Sequence, residues 1–205
     1  MVKLSVIVPV FNSEQGIKET LDALISQVDI KNEEYEVLVV DNNSTDRTLE
    51  TANGYAINHP GLVKVLQESV QSSYAARNKG INNSRGDILC FIDADMVPEK
   101  KYLAKILNCF KDKETYYAGV RVEIKQNKKS LISDYDSILG FRIKHNLDDG
   151  NFVPTCCLTV SRSLLENVGQ FDPRLESGGD LEFGRRVFSS GYKQEYFDNI
   201  TIKHP

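Results

Sequence analysis

Short apolar runs rich in β-branched residues alternate with amphipathic segments over the first half of the chain. The runs KLSVIVPVF, YEVLVV, LVKVLQ and DILCFI each predict a strand, and the first reads as buried on both faces. Between them, apolar residues recur at helical spacing, most clearly from Ile17 to Val28, and SYAARNKGI predicts a short helix. Because strand and helix alternate four times, the pattern predicts a mostly parallel sheet with helices on both faces.

Cap and turn residues set the expected ends of these elements. Asn12 and Ser13 are predicted to cap the first helix, and Pro98 suits the first turn of a helix that carries Leu103 and Phe110. The second half of the chain is less regular. Its predicted elements are strands at YYAGVRVEI and CCLTV, a mobile, solvated turn at QNKKS, a mixed helical pattern over 131–147, helices at SRSLLENVG (closed by Gly169) and DLEFGRRVFSSG (closed by Gly191), and a final segment ITIKHP.

Composition restricts the classes of partner. The 205 residues fit one domain with a sizeable core. With 25 Lys and Arg against 29 Asp and Glu, the net charge is −4, which argues against nucleic acid as the main partner. No apolar run approaches the roughly 20 residues that span a bilayer, and the opening segment lacks the features of a secretory signal. We therefore expect a cytoplasmic protein, in which the four cysteines, lacking the spacing of a zinc site, are reduced thiols.

Polar side chains follow three of the four predicted strands at their carboxyl ends. Asn12 follows the first strand, Asp41 ends the second, and Asp93 and Asp95 follow the fourth. Ligands of open α/β sheets bind beyond this edge of the sheet. Ordinary turn chemistry explains each position singly, but it explains two separate acidic strand ends less well.

Asp93 and Asp95 are candidate ligands of a hard cation. In extended backbone, residues i and i+2 project to the same side, so both carboxylates would face one ion. Mg²⁺ and Mn²⁺ prefer oxygen ligands, and such sites complete their shell with water and substrate phosphate. The triplet alone is a weak signal, because acidic residues also fill turns and cap helices.

Six segments resemble the family 2 nucleotide-sugar glycosyltransferases of the GT-A fold. They are SVIVPVFN, VLVVDNNSTDRT, AARNKG, CFIDADM, GGDLEFGRRV and a final His, and in this order they cover almost all of the chain. The resemblance implies a single α/β GT-A domain over residues 1–205, with a mostly parallel central sheet flanked by helices. Residues 1–115 would bind the nucleotide sugar, and residues 116–205 would bind the acceptor and carry the catalytic base.

The resemblance also implies a role for each candidate residue. Asp41 would accept a hydrogen bond from uracil N3–H, and Arg77 would lie against the base or the diphosphate. Asp95 would ligate a Mn²⁺ or Mg²⁺ ion that bridges the diphosphate, and Asp93 would contact the ribose, or the metal through water. Asp180 would be the general base that takes the acceptor proton. The further candidates are Pro9, Phe11 and Asn12 in the donor site, and His204 as a metal ligand.

Plainer roles compete with several of these assignments. Core packing explains Pro9 and Phe11 almost as well, and a solvated helix charge explains Arg77. Asp180 also suits the first turn of a helix, where the helix dipole favours an acid. The preferred role of Asp46, in the turn after the second strand, is a helix cap.

One departure and one absence refine the resemblance. The family usually has an acidic pair where Gly179 precedes Asp180, which leaves Glu182 and Glu176 as further candidates for the base. The chain contains no Trp, and so lacks the Q-x-x-R-W motif of processive synthases in the family. A transferase that adds a single sugar is therefore favoured.

The expected function is transfer of a sugar from a nucleotide diphosphate sugar, in the first place a UDP-sugar, to an acceptor hydroxyl with inversion. The acceptor class stays open between saccharide, lipid and small molecule, as do a homodimer and peripheral contact with the inner face of a membrane. Two rival interpretations remain. One is a non-catalytic nucleotide-sugar-binding domain. The other is a haloacid dehalogenase-like phosphatase, because the segment FIDADMV resembles the nucleophile motif of those enzymes.

Overall fold

The computed structural model describes residues 2–111, 116–124 and 142–205. The strands are β1 (Leu4–Val10), β2 (Tyr35–Asp41), β3 (Val63–Gln67), β4 (Ile88–Phe91), β5 (Val97–Pro98), β6 (Tyr117–Ile124), β7 (Leu158–Ser161) and β8 (Glu195–His204). The helices are α1 (Glu14–Ile25), α2 (Thr48–Asn58), α3 (Ser73–Asn83), α4 (Tyr102–Cys109), α5 (Ile143–Gly150), α6 (Arg162–Val168) and α7 (Gly179–Ser189).

The strands form one sheet in the order β3-β2-β1-β4-β7-β6-β8-β5. β1 pairs in parallel with both β2 and β4, and β3 pairs in parallel with β2. Every residue of β1 and β2 is buried, as expected of strands covered on both faces. The four predicted strand–helix repeats are thus confirmed, and the carboxyl ends of β1, β2 and β4 meet at one edge of the sheet.

The second half of the chain extends the sheet with mixed pairings. β7 runs antiparallel to both β4 and β6, while β8 runs parallel to β6 and antiparallel to β5. The predicted strand at CCLTV is confirmed only from Leu158, because Thr155–Cys157 form a 3₁₀ turn. The solvated turn predicted at QNKKS and most of the helical pattern over 131–147 lie outside the described residues.

The expectation that Pro98 opens a helix is wrong. Val97 and Pro98 form the short strand β5, where Pro98 pairs with Ile202 of β8, and the helix begins only at Tyr102. A proline is tolerated in this position because β5 is the last strand of the sheet, where one ladder hydrogen bond can be missing.

The predicted cap of α1 is also wrong. Ser13 occupies the N-cap position, but its side chain makes no capping hydrogen bond. Asn12 adopts a left-handed backbone with φ of 47°, and its Oδ1 accepts from the Thr45 amide at 2.7 Å. Asn12 therefore ties the loop after β1 to the loop after β2. The prediction for α6 is confirmed, because Ser161 caps that helix and Gly169 follows it with a positive φ.

A buried carboxylate fastens the amino ends of the parallel strands. Glu36 of β2 is only 3% exposed, and it accepts from the Ser5 hydroxyl at 2.8 Å and from the Arg85 amide at 2.6 Å. The Ser5 hydroxyl in turn accepts from the Gly86 amide at 2.8 Å. This network joins β1, β2 and the entry to β4 at the edge of the sheet opposite to the carboxyl ends.

Candidate active site

A cleft of about 690 Å³ opens at the carboxyl ends of β1, β2 and β4. It brings together four predicted donor-site residues, Pro9, Phe11, Arg77 and Asp93. Phe11 is 51% exposed, so its side chain belongs to the cleft and not to the core. The full lining is Pro9, Val10, Phe11, Asn42, Val70, Gln71, Ser72, Ser73, Arg77, Asp93, Pro173, Arg174, Leu175 and Glu176.

Arg77 is a buried cation at the base of this cleft. It projects from α3 and is only 3% exposed, so its interpretation as a solvated helix charge is wrong. Its Nη2 donates to Asp93 Oδ1 at 2.6 Å, and its guanidinium carbon lies 5.7 Å from the centre of the Tyr74 ring. Its Nε has no hydrogen-bond partner among the described residues. Arg77 thus keeps unused hydrogen-bonding capacity beside the cleft.

The segment with Asp93 and Asp95 is a turn and not the extended backbone that we expected. The Met96 amide donates to the Asp93 carbonyl at 3.1 Å, which closes the turn. The two carboxylates therefore have different partners: Asp93 faces Arg77, and Asp95 Oδ2 lies 3.9 Å from His204 Nε2. The separate partners explain how two like charges are accommodated so close in sequence.

Asp95 and His204 fit a divalent cation that takes most of its ligands from a substrate. Within residues 2–111, 116–124 and 142–205, no group of three or more His, Cys, Asp and Glu side chains is placed to hold a metal. Mg²⁺ sites, however, commonly use only one or two protein ligands besides substrate phosphates and water. Gly16 allows the turn that carries Asp95 to pack closely on α1, because a Cβ on Gly16 would lie 2.5 Å from the Ala94 carbonyl oxygen and push the turn away.

Asp41 is a buried carboxylate next to the cleft. The residue is 1% exposed, and its Oδ2 accepts from the Ser44 amide at 3.2 Å. Its Oδ1 has no hydrogen-bond partner among the described residues. Asp41 itself is not in the cleft lining, but Val10, its pairing partner in β1, and the adjacent Asn42 both are. A buried acceptor beside a ligand cleft suits a ligand that donates a hydrogen bond.

Asn42 and Asp46 organise the loops around Asp41. The Asn42 amide group donates to the carbonyls of Glu68 and Val70, and its oxygen accepts from the Ser72 amide at 2.9 Å. It thereby holds one wall of the cleft, a role that sequence reasoning missed. Asp46 accepts from the Thr48 amide at 3.0 Å, but it lies one residue before the N-cap position of α2, which is Arg47, so the predicted helix cap is wrong. Hydrogen bonds from the Thr48 side chain and amide lower the pKa of Asp46.

Asp180 lies in the first turn of α7 and is half-buried, with Oδ1 accepting from the Leu181 amide at 2.9 Å. The alternative bases differ from it in their surroundings. Glu182 is held by Arg186, whose Nε and Nη2 donate to its two carboxylate oxygens at 2.8 Å each. Glu176 is exposed and lines the cleft.

The structure gives a steric reason for the glycine at position 179, which the sequence did not reveal. A Cβ at this position would lie 2.5 Å from the Tyr74 ring, and the Gly179 amide donates to the Tyr74 hydroxyl at 2.8 Å. An acidic side chain is thus excluded here by a tyrosine 105 positions away in the sequence. No local pattern identifies Tyr74, because its partner comes from a distant helix.

A second cavity of about 490 Å³ lies along α7. Its lining includes Leu181 and Arg185 of that helix and Leu175, which also lines the first cleft. The two spaces are therefore neighbours, and the helix that carries Asp180 borders the second one.

The sheet and cleft define an α/β protein of the GT-A glycosyltransferase class, in agreement with solved structures. The mannosyltransferase PcManGT from Pyrobaculum calidifontis, in complex with GDP-Man and Mn²⁺, superimposes over 98% of this chain and 56% of its own, with a TM-score of 0.78 and 23% identity. S. aureus TarS in complex with UDP-GlcNAc matches 100% of this chain and 59% of its own, with a TM-score of 0.76 and 24% identity.

The chain belongs to glycosyl transferase family 2, because the sequence model of that family matches residues 5–169. The glycosyltransferase AglE of Haloferax volcanii is 34% identical over 203 residues, which cover 98% of this chain and 66% of AglE. The chain therefore spans just under two thirds of this curated relative. In the part of the chain that the structure describes, no helix is long and apolar enough to cross a membrane.

Proposed function

We propose that the protein transfers one sugar from a UDP-sugar to an acceptor hydroxyl, with inversion and with the help of Mn²⁺ or Mg²⁺. The observation that supports the proposal is the cleft, which is lined by buried Arg77 paired with Asp93 and adjoined through Val10 and Asn42 by Asp41, whose Oδ1 has no hydrogen-bond partner among the described residues. A fixed cation suits a diphosphate, and a buried acceptor suits the N3–H of uracil. The phosphatase alternative is set aside, because the motif follows the fourth strand of a family 2 glycosyltransferase.

The two halves of the chain divide the work in this proposal. Residues 1–115 bind the nucleotide, while residues 116–205 bind the acceptor and supply the base. Both halves contribute to the cleft, since Pro173–Glu176 of the second half line it together with residues of β1 and α3 of the first half. The acceptor then enters along α7, where the second cavity adjoins the first.

Asp180 acts as the general base. Its carboxylate takes the proton of the acceptor hydroxyl while the hydroxyl oxygen attacks the anomeric carbon from the face opposite to the diphosphate. As the new C–O bond forms, the bond to the diphosphate oxygen breaks, and its electron pair departs with UDP. A bound divalent cation would be held by Asp95 and His204, with Asp93 nearby, and would supply charge stabilisation to the leaving diphosphate. Arg77 adds a positive charge on the donor side.

The Asp180→Asn variant tests the proposal. A general base contributes roughly 10²–10⁴-fold in rate, or about 3–5 kcal/mol of barrier. Single-turnover transfer, followed by mass spectrometry, should therefore fall by that factor, while UDP-sugar affinity measured by calorimetry stays the same. Asn keeps the size of the side chain and its oxygen can still accept from the Leu181 amide, so α7 should remain folded.

Glu182→Gln and Glu176→Gln are the matched controls, since each removes one neighbouring carboxylate. If Asp180→Asn keeps full activity and one of the two controls loses activity, the residue changed in that control is the general base. If the unmodified protein binds UDP-sugar but neither transfers nor hydrolyses it, the proposal is wrong and the protein is a binding domain.

A further inference from the structure

Helix α3 contacts both the donor cleft and the start of the helix that carries Asp180. Tyr74, Arg77 and Asn78 are three and four residues apart, so they lie on the same side of the helix. Arg77 faces Asp93 in the cleft, whereas Tyr74 and Asn78 contact residues of the second half. One rigid helix therefore connects the two parts of the proposed site.

The contact between Tyr74 and Gly179 is close and directional. The Gly179 amide is among the first of α7, and such amides lack a partner within their own helix. The buried Tyr74 hydroxyl accepts from it at 2.8 Å. The ring leaves no space for a side chain, because a Cβ on Gly179 would lie 2.5–2.8 Å from three of its carbons. The backbone of α7 thus rests directly on the ring.

Phe171 reinforces this contact from the side. Its ring stacks on Tyr74 with centroids 6.0 Å apart and packs on Phe183 of α7 at 4.7 Å. Asn78 fixes the Phe171 backbone through two hydrogen bonds, of 2.8 Å to its carbonyl and 3.2 Å from its amide. The aromatic cluster therefore sets the distance between the two helices, and the Tyr74 hydroxyl sets the position of the first turn of α7.

We propose that Tyr74 is a positioning residue. Its hydroxyl holds the first turn of α7, and with it Asp180, in a fixed position relative to the Arg77–Asp93 pair. This inference rests on the proposed function, in which Asp180 is the base. It accounts for Gly179, because the Tyr74 ring leaves no space for a side chain at that position.

Tyr74→Phe is the test, because it removes the hydroxyl and keeps the ring against Phe171 and Arg77. A displacement of about 1 Å in a reacting group can cost about 100-fold in rate. We expect kcat to fall about 10-fold or more, while KM for the donor and UDP affinity change less than about twofold. Hydrogen–deuterium exchange should become faster in the first turn of α7.

Tyr35→Phe is the matched control, since the Tyr35 hydroxyl makes a buried hydrogen bond of 2.9 Å to the Leu24 carbonyl, away from the cleft. It should lose comparable stability without changing kcat. Gly179→Ala should lower kcat as Tyr74→Phe does, by forcing α7 off the ring. Gly54→Ala in α2, where an added Cβ meets no described atom within 4 Å, should not.

Three results on the variants would overturn the inference by itself. Unchanged exchange in α7 on Tyr74→Phe would show that the hydroxyl does not hold the turn, whether or not the protein is active. Full kcat in Tyr74→Phe or Gly179→Ala would show that the contact does not position the base. A parallel loss of donor affinity would place Tyr74 in the donor site. An unmodified protein that binds UDP-sugar without turnover would instead refute the proposed function, and the positioning role with it.

Discussion

Asp41→Asn should make the protein more stable and its donor site less able to bind UDP. The Asp41 carboxylate is 1% exposed and has a single hydrogen bond among the described residues, from the Ser44 amide to Oδ2 at 3.2 Å. A buried charge with an unpaired oxygen is costly, and a neutral amide of the same shape costs less. We expect a gain of about 1 kcal/mol, which for a chain of this size corresponds to a melting temperature about 2–4 °C higher.

The orientation of the new amide follows from the Ser44 contact. Ser44 donates its amide proton, so the Asn oxygen takes the Oδ2 position and the NH₂ group takes the position of Oδ1. This NH₂ would oppose the N3–H of uracil, whereas it would match the N3 acceptor of cytosine. Leaving such a buried contact unmade costs about 1–3 kcal/mol, or about 5- to 150-fold in affinity. UDP should therefore bind more weakly by that factor, and CDP should bind more tightly than it does to the unmodified protein.

Thermal unfolding and calorimetry with UDP and CDP measure both effects on the same samples. Asp46→Asn is the matched control, because Asp46 lies in the same loop, is exposed, and accepts from the Thr48 amide. It should be neutral or slightly destabilising and should leave nucleotide binding unchanged. A lower melting temperature for Asp41→Asn together with unchanged UDP affinity would refute the reasoning. It would show that burial of the Oδ1 oxygen does not destabilise the fold and that this oxygen does not contact uracil.

The other predictions concern the metal, the sheet and the thiols. Calorimetry should show that UDP binds at least tenfold more weakly with EDTA or in Asp95→Ala, and equal affinity in all samples would exclude a metal role. Ser5→Ala should cost about 2–3 kcal/mol in denaturant unfolding, because it removes a donor from buried Glu36 and an acceptor from a buried amide. Iodoacetamide should label half-buried Cys109 before Cys90, since complete burial raises the pKa of Cys90 to about 12; equal labelling would contradict this.

The sequence alone determined the parallel half of the sheet and the edge at which the candidate residues gather. Buried strands such as β1 and β2 have an uninterrupted apolar pattern, because both faces are covered. Alternation of strand and helix then leads to parallel pairing, and parallel pairing brings Asn12, Asp41 and Asp93 to the same edge. These inferences depend on local periodicity and on chain direction, both of which can be read from neighbouring residues.

Only the tertiary structure decided which groups are paired, buried or left without a partner. Arg77 looks like any helix charge until Asp93 is placed 2.6 Å from it. Pro98 looks like the start of a helix in the sequence, whereas in the structure it pairs with Ile202 of β8. Gly179 looks like a lost acid until Tyr74, 105 positions earlier, is found in the space of its side chain. Each of these depends on a contact between residues far apart in the chain, and local sequence carries no record of such a contact because either partner alone is compatible with many surroundings.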